Sequence, residues 1–453
     1  MQIIGHWSTR IGFLLAATGA SVGLGNIWKF PYIAGTNGGG AFVIIYVIAA
    51  LFIAAPILIS ELLIGQMGQK SPPAAMTTIA LKEGRSPKWG LFGWLGTISG
   101  FLIVSFYSVI AGWALAYFVK SLNGMAISTT AESSEKVFNQ LLNDPTLLTI
   151  GHTMFLLLTG IIVSRGISRG LEATAKLLMP ALAIMLILVL IYAIMFGDFL
   201  QAATFLFAFD LEEIDSSTIL IASGQAFFSI GVAMGLMTAY GSYLPKKTPL
   251  VRSALWITGM DTLFALLAGL AIFPLVFASQ LDPASGPGLI FVTLPVAFSG
   301  MPYGNLFSSI FFLLLVFAAL TSAVGLLEPL ISKLSETGNI DRRKSSLIAT
   351  FLAWFAGIGT VLSFNYLDSF FPIKVFATTS NMTIFELLDY TTSNIIMPVT
   401  AVGISIFCGY VLRKQALQQA LELPNKWIFH SWYYSIRYIV PLIITVILFM
   451  EFF

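Results

Sequence analysis

Eleven long apolar stretches separated by short polar breaks dominate this chain, near residues 12 to 34, 41 to 66, 90 to 120, 147 to 164, 173 to 196, 219 to 243, 251 to 278, 305 to 332, 346 to 364, 384 to 412 and 433 to 453. About twenty apolar residues in a helix cross a bilayer's hydrocarbon. Each stretch is therefore a candidate crossing, and together they predict an all-α membrane protein with eleven transmembrane helices in a single domain, residues 1–453. Open sheets are excluded, because hydrocarbon leaves backbone polar groups satisfied only in helices or closed barrels. Composition agrees: 57% of the 453 residues are apolar and 10% charged, against about 25% charged in soluble domains. The single cysteine, Cys408, excludes an intrachain disulfide, zinc-finger spacing and CxxC redox chemistry. A net charge of +2 suggests no nucleic-acid partner. The lipid bilayer is the expected surrounding, and no obligate protein partner is indicated. No cleavable signal is expected either, since the first apolar stretch is full-length and lacks a small-residue cleavage motif.

Charge sets the orientation. With a cytoplasmic N-terminus, the inward loops hold 19 of the 23 Lys and Arg residues, and the outward side keeps Lys29, Lys120, Lys136 and Lys374. Acidic residues do the reverse, with 13 of 21 outside, among them Asp210, Glu212, Glu213 and Asp215. This positive-inside bias predicts a multi-pass protein of the plasma (cytoplasmic) membrane. An odd number of crossings then leaves Phe453 outside.

Two crossings are poor helices near mid-depth. The first carries Gly19, Gly23 and Gly25 followed by Asn26; the sixth carries Gly224, Gly231 and Gly235 around Ser229. Each glycine costs a helix about 1 kcal/mol against alanine. Unwound backbone persists in a membrane only where it lines a polar-filled cavity. The first and sixth crossings are also equivalent members of two five-helix halves, a pairing expected of an inverted-repeat transporter with its site at the repeat interface. Close packing through small residues is the alternative reading of the glycines.

With GASVGLGNIWKFPYIAGTNGGGAF (19–42), RGISRGLEATAKLLMP (165–180), GQAFFSIG (224–231) and FAALTSAVGLLEP (317–329), the chain resembles, over essentially its whole length, a bacterial member of the neurotransmitter:sodium symporter family. The resemblance implies the LeuT-type 5+5 inverted repeat, with repeat 1 about 10–200, repeat 2 about 217–413 and an extra helix about 431–453. Helices 1 and 6 would be broken at mid-membrane. It implies a symporter rather than an enzyme, coupling two transported sodium ions to an amino acid.

A dry sodium site needs about five or six hard oxygen ligands. Ala318, Thr321 and Ser322 stand at i, i+3 and i+4, so one carbonyl and two hydroxyls share a helix face. The resemblance adds the carbonyls of Gly19 and Val22, giving a site without a carboxylate. Back-bonding of Thr321 and Ser322 to the preceding turn is the alternative. For the second sodium the resemblance implies the Ser21 carbonyl, Asn26, Ser229 and Asp261, completed by the substrate carboxylate. Counting from AYGSY puts Asp261 at the ligating position, and counting from AGLAIFP puts it one residue off; the ligating register is preferred. An acid at bilayer depth costs about 3 kcal/mol or more, so Asp261 is expected to supply internally the negative charge that chloride supplies in chloride-dependent relatives. Glu61 resembles the acid that accepts hydrogen bonds from the unwound segments, with proton coupling as its alternative. No role is settled for Glu328.

Half-helix N-termini suit a carboxylate. By resemblance, the substrate carboxylate meets the amides near Leu24 and Gly25 and the Tyr107 hydroxyl, and its ammonium meets carbonyls near Ser21, Phe228 and Ser229. Ile103, Phe228, Gly231, Met234, Ser322 and Leu326 would line the side-chain pocket. No charge enters that set, so neutral, mainly hydrophobic L-amino acids are expected, aromatic ones included. Lys29 and Asp389 resemble an external gate, with Lys lacking arginine's bidentate fork, above a Phe228 lid. Trp7, Tyr243 and Glu336 match inner-gate positions, although Ile4 stands where the family pattern has arginine. Gly170 and Pro180 resemble a fifth-helix element that unwinds, or Pro180 simply kinks the helix. The rival functions are a channel and a proton-coupled carrier of the same fold.

Overall fold

The computed structural model describes residues 5–124, 130–208, 214–286, 288–338, 340–372, 381–423 and 425–452. Ile4, Lys374, Phe453 and the acidic residues 210, 212 and 213 lie outside them. The described residues form helices and connecting turns without strands. Among them, nine helices are long and apolar enough to cross a membrane, and the bent pair Arg10–Ser21 and Gly25–Thr36 makes a tenth span. The stretch expected as the sixth crossing is divided into Ser216–Ile230 and Leu236–Ser242. At about 1.5 Å per residue, neither half spans hydrocarbon alone.

Helix starts follow local chemistry. The side chains of Thr9, Asp144, Asp198 and Asp215 each accept from a first-turn amide of the helix they precede. Thr383 and Glu386 form a reciprocal capping box at the tenth crossing. These caps satisfy donors that the helix itself cannot.

Burial separates the centre from the rim. Gly304–Gly338, the eighth crossing, has 83% of its most apolar window buried, whereas Lys426–Met450, the last, has 22%. The eighth crossing packs along the third (Pro87–Leu122), the fifth (Ile167–Phe196) and the first. At one end of the bundle, the short helices Ala131–Leu142 and Leu289–Ser299 pack together; the Ser134 hydroxyl donates to the Val292 carbonyl at 2.7 Å, and Phe138 stacks on Phe291 with centroids 5.5 Å apart.

Candidate functional site

The first crossing stops at Ser21 because Val22 turns extended (φ −69°, ψ 95°), and it restarts in a π-type turn from Gly25 to Lys29, with the two parts bent by 46°. Gly19 remains helical, packed against Met179 and Thr321. The sixth crossing ends on Gly231 (φ 73°) and resumes after Gly235 (φ 70°), left-handed positions that glycine reaches without a Cβ clash. Ala233 between them also has φ 64°, a conformation costing about 1–2 kcal/mol for a residue with a side chain. The buried carboxylate of Glu61 holds it there: the Ala233 amide donates to Glu61 Oε2 at 3.0 Å and the Thr238 hydroxyl to Oε1 at 3.3 Å.

Between the two breaks lies a narrow cavity of about 20 Å³. Of the residues expected there, Ser21, Gly25, Ile103, Tyr107, Phe228, Gly231, Met234, Ser322 and Leu326 line it, joined by Ala20, Gly23 and Leu236. No charged side chain does. Leu24 and Ser229 stand behind the lining; the Leu24 amide donates to Tyr107 Oη at 3.0 Å. Tyr107 thus accepts from the unwound turn.

Beside the cavity, Asn26, Ser229 and Asp261 converge. Asn26 Nδ2 donates to Ser229 Oγ at 2.9 Å and to Asp261 Oδ1 at 2.8 Å, while its Oδ1 accepts from the Gly23 amide at 3.0 Å. The Ser229 hydroxyl donates to Asp261 Oδ2 at 2.7 Å, and Tyr46 adds a longer bond to the same oxygen at 3.3 Å. Asp261 therefore touches both breaks, through Asn26 on the first crossing and Ser229 on the sixth. Ser21 instead ties the two crossings directly, its hydroxyl donating to the Ile230 carbonyl at 2.9 Å.

At the eighth crossing, Thr321 bonds back to the carbonyls of Phe317 and Ala318 at 3.1 and 3.0 Å, and Ser322 reaches the Gly19 carbonyl at 3.4 Å. Thr321 thus bonds within its own helix, and Ser322 alone of the two reaches a carbonyl of the first half-helix. Neutral oxygens alone make up this cluster.

At one end of the cavity, Lys29 Nζ lies 3.4 Å from Asp389 Oδ1 and 4.4 Å from the Phe228 ring centroid, so one ammonium joins Asp389 to that ring. The opposite end is thicker. Trp7 packs edge-on against Tyr240 and Tyr243 and donates to the Tyr240 carbonyl at 3.1 Å. The Tyr243 hydroxyl donates to Glu328 Oε1 at 2.5 Å, and Arg342 grips Glu328 with bonds of 2.9 and 2.6 Å. Glu336, expected with Trp7 and Tyr243, is elsewhere: its carboxylate accepts from the amide and hydroxyl of Ser71 at 2.6 and 2.5 Å, holding the start of helix Pro72–Lys82. Two helical turns separate Glu328 from Glu336 on one rod, and Tyr243 reaches only the deeper acid. Glu172 binds the entering chain, accepting from the Ser8 amide at 2.7 Å and the Thr9 hydroxyl at 3.0 Å. Gly170 sits in a π-type turn, Ile167–Glu172, where a side chain would collide with the Ile162 carbonyl, and Pro180 lies inside the continuous helix Ala173–Phe196.

Tyr46, Gln225 and Arg342 were not anticipated at these sites. Gln225 donates to the Gly25 carbonyl at 2.8 Å. Tyr46 is the one hydroxyl in the run from Ala41 to Pro56, which is a signal, since a buried phenol needs a partner. Arg342 is recoverable by asking which cation compensates Glu328.

The Sodium:neurotransmitter symporter family matches the chain over residues 4–139 and 132–453. An uncharacterized sodium-dependent transporter of Bacillus subtilis, YhdH, is 36% identical over 98% of this chain and 96% of its own. The human sodium- and chloride-dependent GABA transporter 2 is 26% identical over 85% of this chain and 69% of its own. Among solved structures, MhsT in complex with L-phenylalanine superposes with a TM-score of 0.90 at 35% identity, covering 99% of this chain and 100% of that one.

Proposed function

The chain belongs to the sodium:neurotransmitter symporter family and is a sodium-dependent membrane transporter rather than an enzyme, and we propose that it carries neutral, mainly hydrophobic L-amino acids by alternating access, coupled to two sodium ions. The observation that carries this reading is the uncharged cavity between two unwound crossings, bordered by Tyr107 and adjoining the Asn26, Ser229 and Asp261 cluster. Its apolar wall from Ile103, Phe228, Met234 and Leu326 disfavours a charged side chain by several kcal/mol, about 2–7 for even an unpaired polar group. The similar MhsT holds L-phenylalanine, which supports the same substrate class here.

In this reading one sodium sits among Gly19, Val22, Ala318, Thr321 and Ser322, and the other among Ser21, Asn26, Ser229 and Asp261 with the substrate carboxylate. Asp261 supplies the anion at the second position, so chloride is not required. Glu61 serves as a structural acceptor for the sixth-crossing break. Lys29, Asp389 and Phe228 close the outer path; Trp7, Tyr243, Glu328 and Arg342 close the inner one. The two repeats, about 10–200 and 217–413, move against each other, and the Gly170 to Pro180 segment loosens to release the ion beside Thr321. The N-terminus faces the cytoplasm and the C-terminus the exterior of the plasma membrane. Two sodium ions moving down a tenfold gradient and 100 mV supply about 7 kcal/mol, enough for about 10⁵-fold accumulation of a neutral substrate.

Uptake into proteoliposomes tests this, one radiolabelled amino acid at a time, with inward sodium or choline gradients. Phenylalanine, tryptophan or leucine should accumulate only with sodium, and lysine and glutamate should not. Sodium-driven uptake of lysine or glutamate without the hydrophobic amino acids would refute the substrate assignment.

A further inference from the structure

Where the basic ends of the tenth and eleventh crossings meet, two cations stand without an acid. Arg437 lies 4.5 Å from the Tyr410 ring centroid, 5.4 Å from Tyr438 and 5.7 Å from Tyr433. Lys414 Nζ lies 5.1 Å from the same Tyr433 ring and 5.4 Å from Tyr434. Sharing one ring keeps the two charges within about 11 Å, where like charges repel. Among the described residues neither forms an ion pair, whereas the adjacent Arg413 is bonded to Glu83 at 2.6 Å. The Arg437 guanidinium donates to Tyr433 Oη at 2.6 Å, and its Nε is buried without a partner.

The arrangement is built rather than incidental. Gly409 admits the neighbouring backbone, since a Cβ there would stand 2.9 Å from Arg437 Cα. The Tyr410 hydroxyl donates to the Arg437 carbonyl at 2.9 Å, and the Tyr433 hydroxyl to the Gly409 carbonyl at 3.3 Å. Both helices widen into π-type turns at this level, Phe407–Val411 and Ser435–Ile439, a feature enriched at functional positions.

We infer that Arg437 and Lys414, framed by Tyr410, Tyr433, Tyr434 and Tyr438, bind the phosphate of an anionic phospholipid between the tenth and eleventh crossings. Guanidinium donors in a fixed fork suit a phosphate, and basic pockets between membrane helices on the cytoplasmic side take such headgroups. Tyr410, Tyr434 and Tyr438 are 47%, 48% and 53% exposed, as befits aromatic side chains at headgroup level. Ile439 and Leu442, the next exposed apolar side chains along the helix, offer a surface for acyl chains. That continuity selects a lipid over free phosphate. Such a lipid would clamp the last crossing, the one least embedded in the bundle. The orientation proposed above decides only which leaflet supplies it.

Native mass spectrometry of the detergent-purified full chain, titrated with phosphatidylglycerol, phosphatidylcholine or inorganic phosphate, tests the assignment. Phosphatidylglycerol should bind in preference to phosphatidylcholine, and the Lys414→Gln/Arg437→Gln double variant should bind it about 30-fold more weakly, at about 5-fold per charge near an anionic surface. Lys246→Gln/Lys247→Gln, which removes two exposed basic charges elsewhere, should bind as the wild type does. If Arg437→Gln prevents folding, Lys414→Gln alone should weaken binding about 5-fold. Equal binding by wild type and the Lys414 variants would overturn the proposal, as would equal weakening by the Lys246/Lys247 variant or equal occupancy by inorganic phosphate.

Discussion

The two proposed ion positions differ in their source of negative charge. Around Asn26, side chains from three crossings turn toward a full carboxylate, Asp261, which accepts from Asn26, Ser229 and Tyr46. Around Thr321 there are only carbonyl and hydroxyl dipoles, and the hydroxyls already point at backbone oxygens. A cation beside Asp261 would meet a formal charge in a low-dielectric setting, where charge–charge attraction is strong. Beside Thr321 it would meet only partial charges, from hydroxyl lone pairs and carbonyl dipoles. The difference teaches that, if both proposed positions hold sodium, the two ions need not be held equally: the acid-bearing position would anchor substrate and sodium together, and the neutral one would suit the ion that leaves first.

Asp261→Asn attacks the comparison hardest. Removing the charge while its donors stay buried should lower sodium-driven uptake about 100-fold in chloride-free medium, and added chloride should restore part of it. A variant indifferent to chloride would deny Asp261 its electrostatic role. Next, Thr321→Ala should raise the sodium concentration for half-maximal uptake about 10-fold, the loss of one hydroxyl ligand to a charged group. An unchanged half-saturation would mean that Thr321 only bonds back to its own helix. Tyr46→Phe removes the longest of the donors to Asp261, so its sodium half-saturation should rise by about 5-fold or less. The wild type should show no effect at all when external chloride is exchanged for gluconate, and loss of uptake there would erase the distinction between the two positions.

Much of this arrangement was legible because membrane physics leaves few options. Glycines at 231 and 235 beside Ser229 could not be a plain lipid-facing helix, and they frame the sixth-crossing break. Gly19 and Gly224 were less informative: both remain helical, because one glycine costs a helix only about 1 kcal/mol, which packing overrides. Ile103 and Leu326 line the cavity; their place there came from the family resemblance, because spacing within a single helix cannot bring two different helices together. The face around Trp7 and Tyr243 resisted reading. Whether Tyr243 meets Glu328 or Glu336 depends on how deep the Leu236–Ser242 half-helix sits, and Arg342 finds Glu328 only because the chain doubles back between the eighth and ninth crossings. Neither depth nor reversal leaves a periodic mark in the sequence. The pairing of Arg437 with tyrosines was hidden for a related reason, since counting basic loops assigns a side without saying that the residue lies inside a helix.

The most direct test of the account is equilibrium binding of radiolabelled L-phenylalanine to the detergent-purified chain as sodium is titrated against choline at constant ionic strength. Binding should vanish without sodium and rise with a sodium dependence of about second order, since ions stabilise the substrate-bound form by mass action. Undiminished binding in choline would contradict the claim that the unwound segments hold amino acid and sodium as one unit.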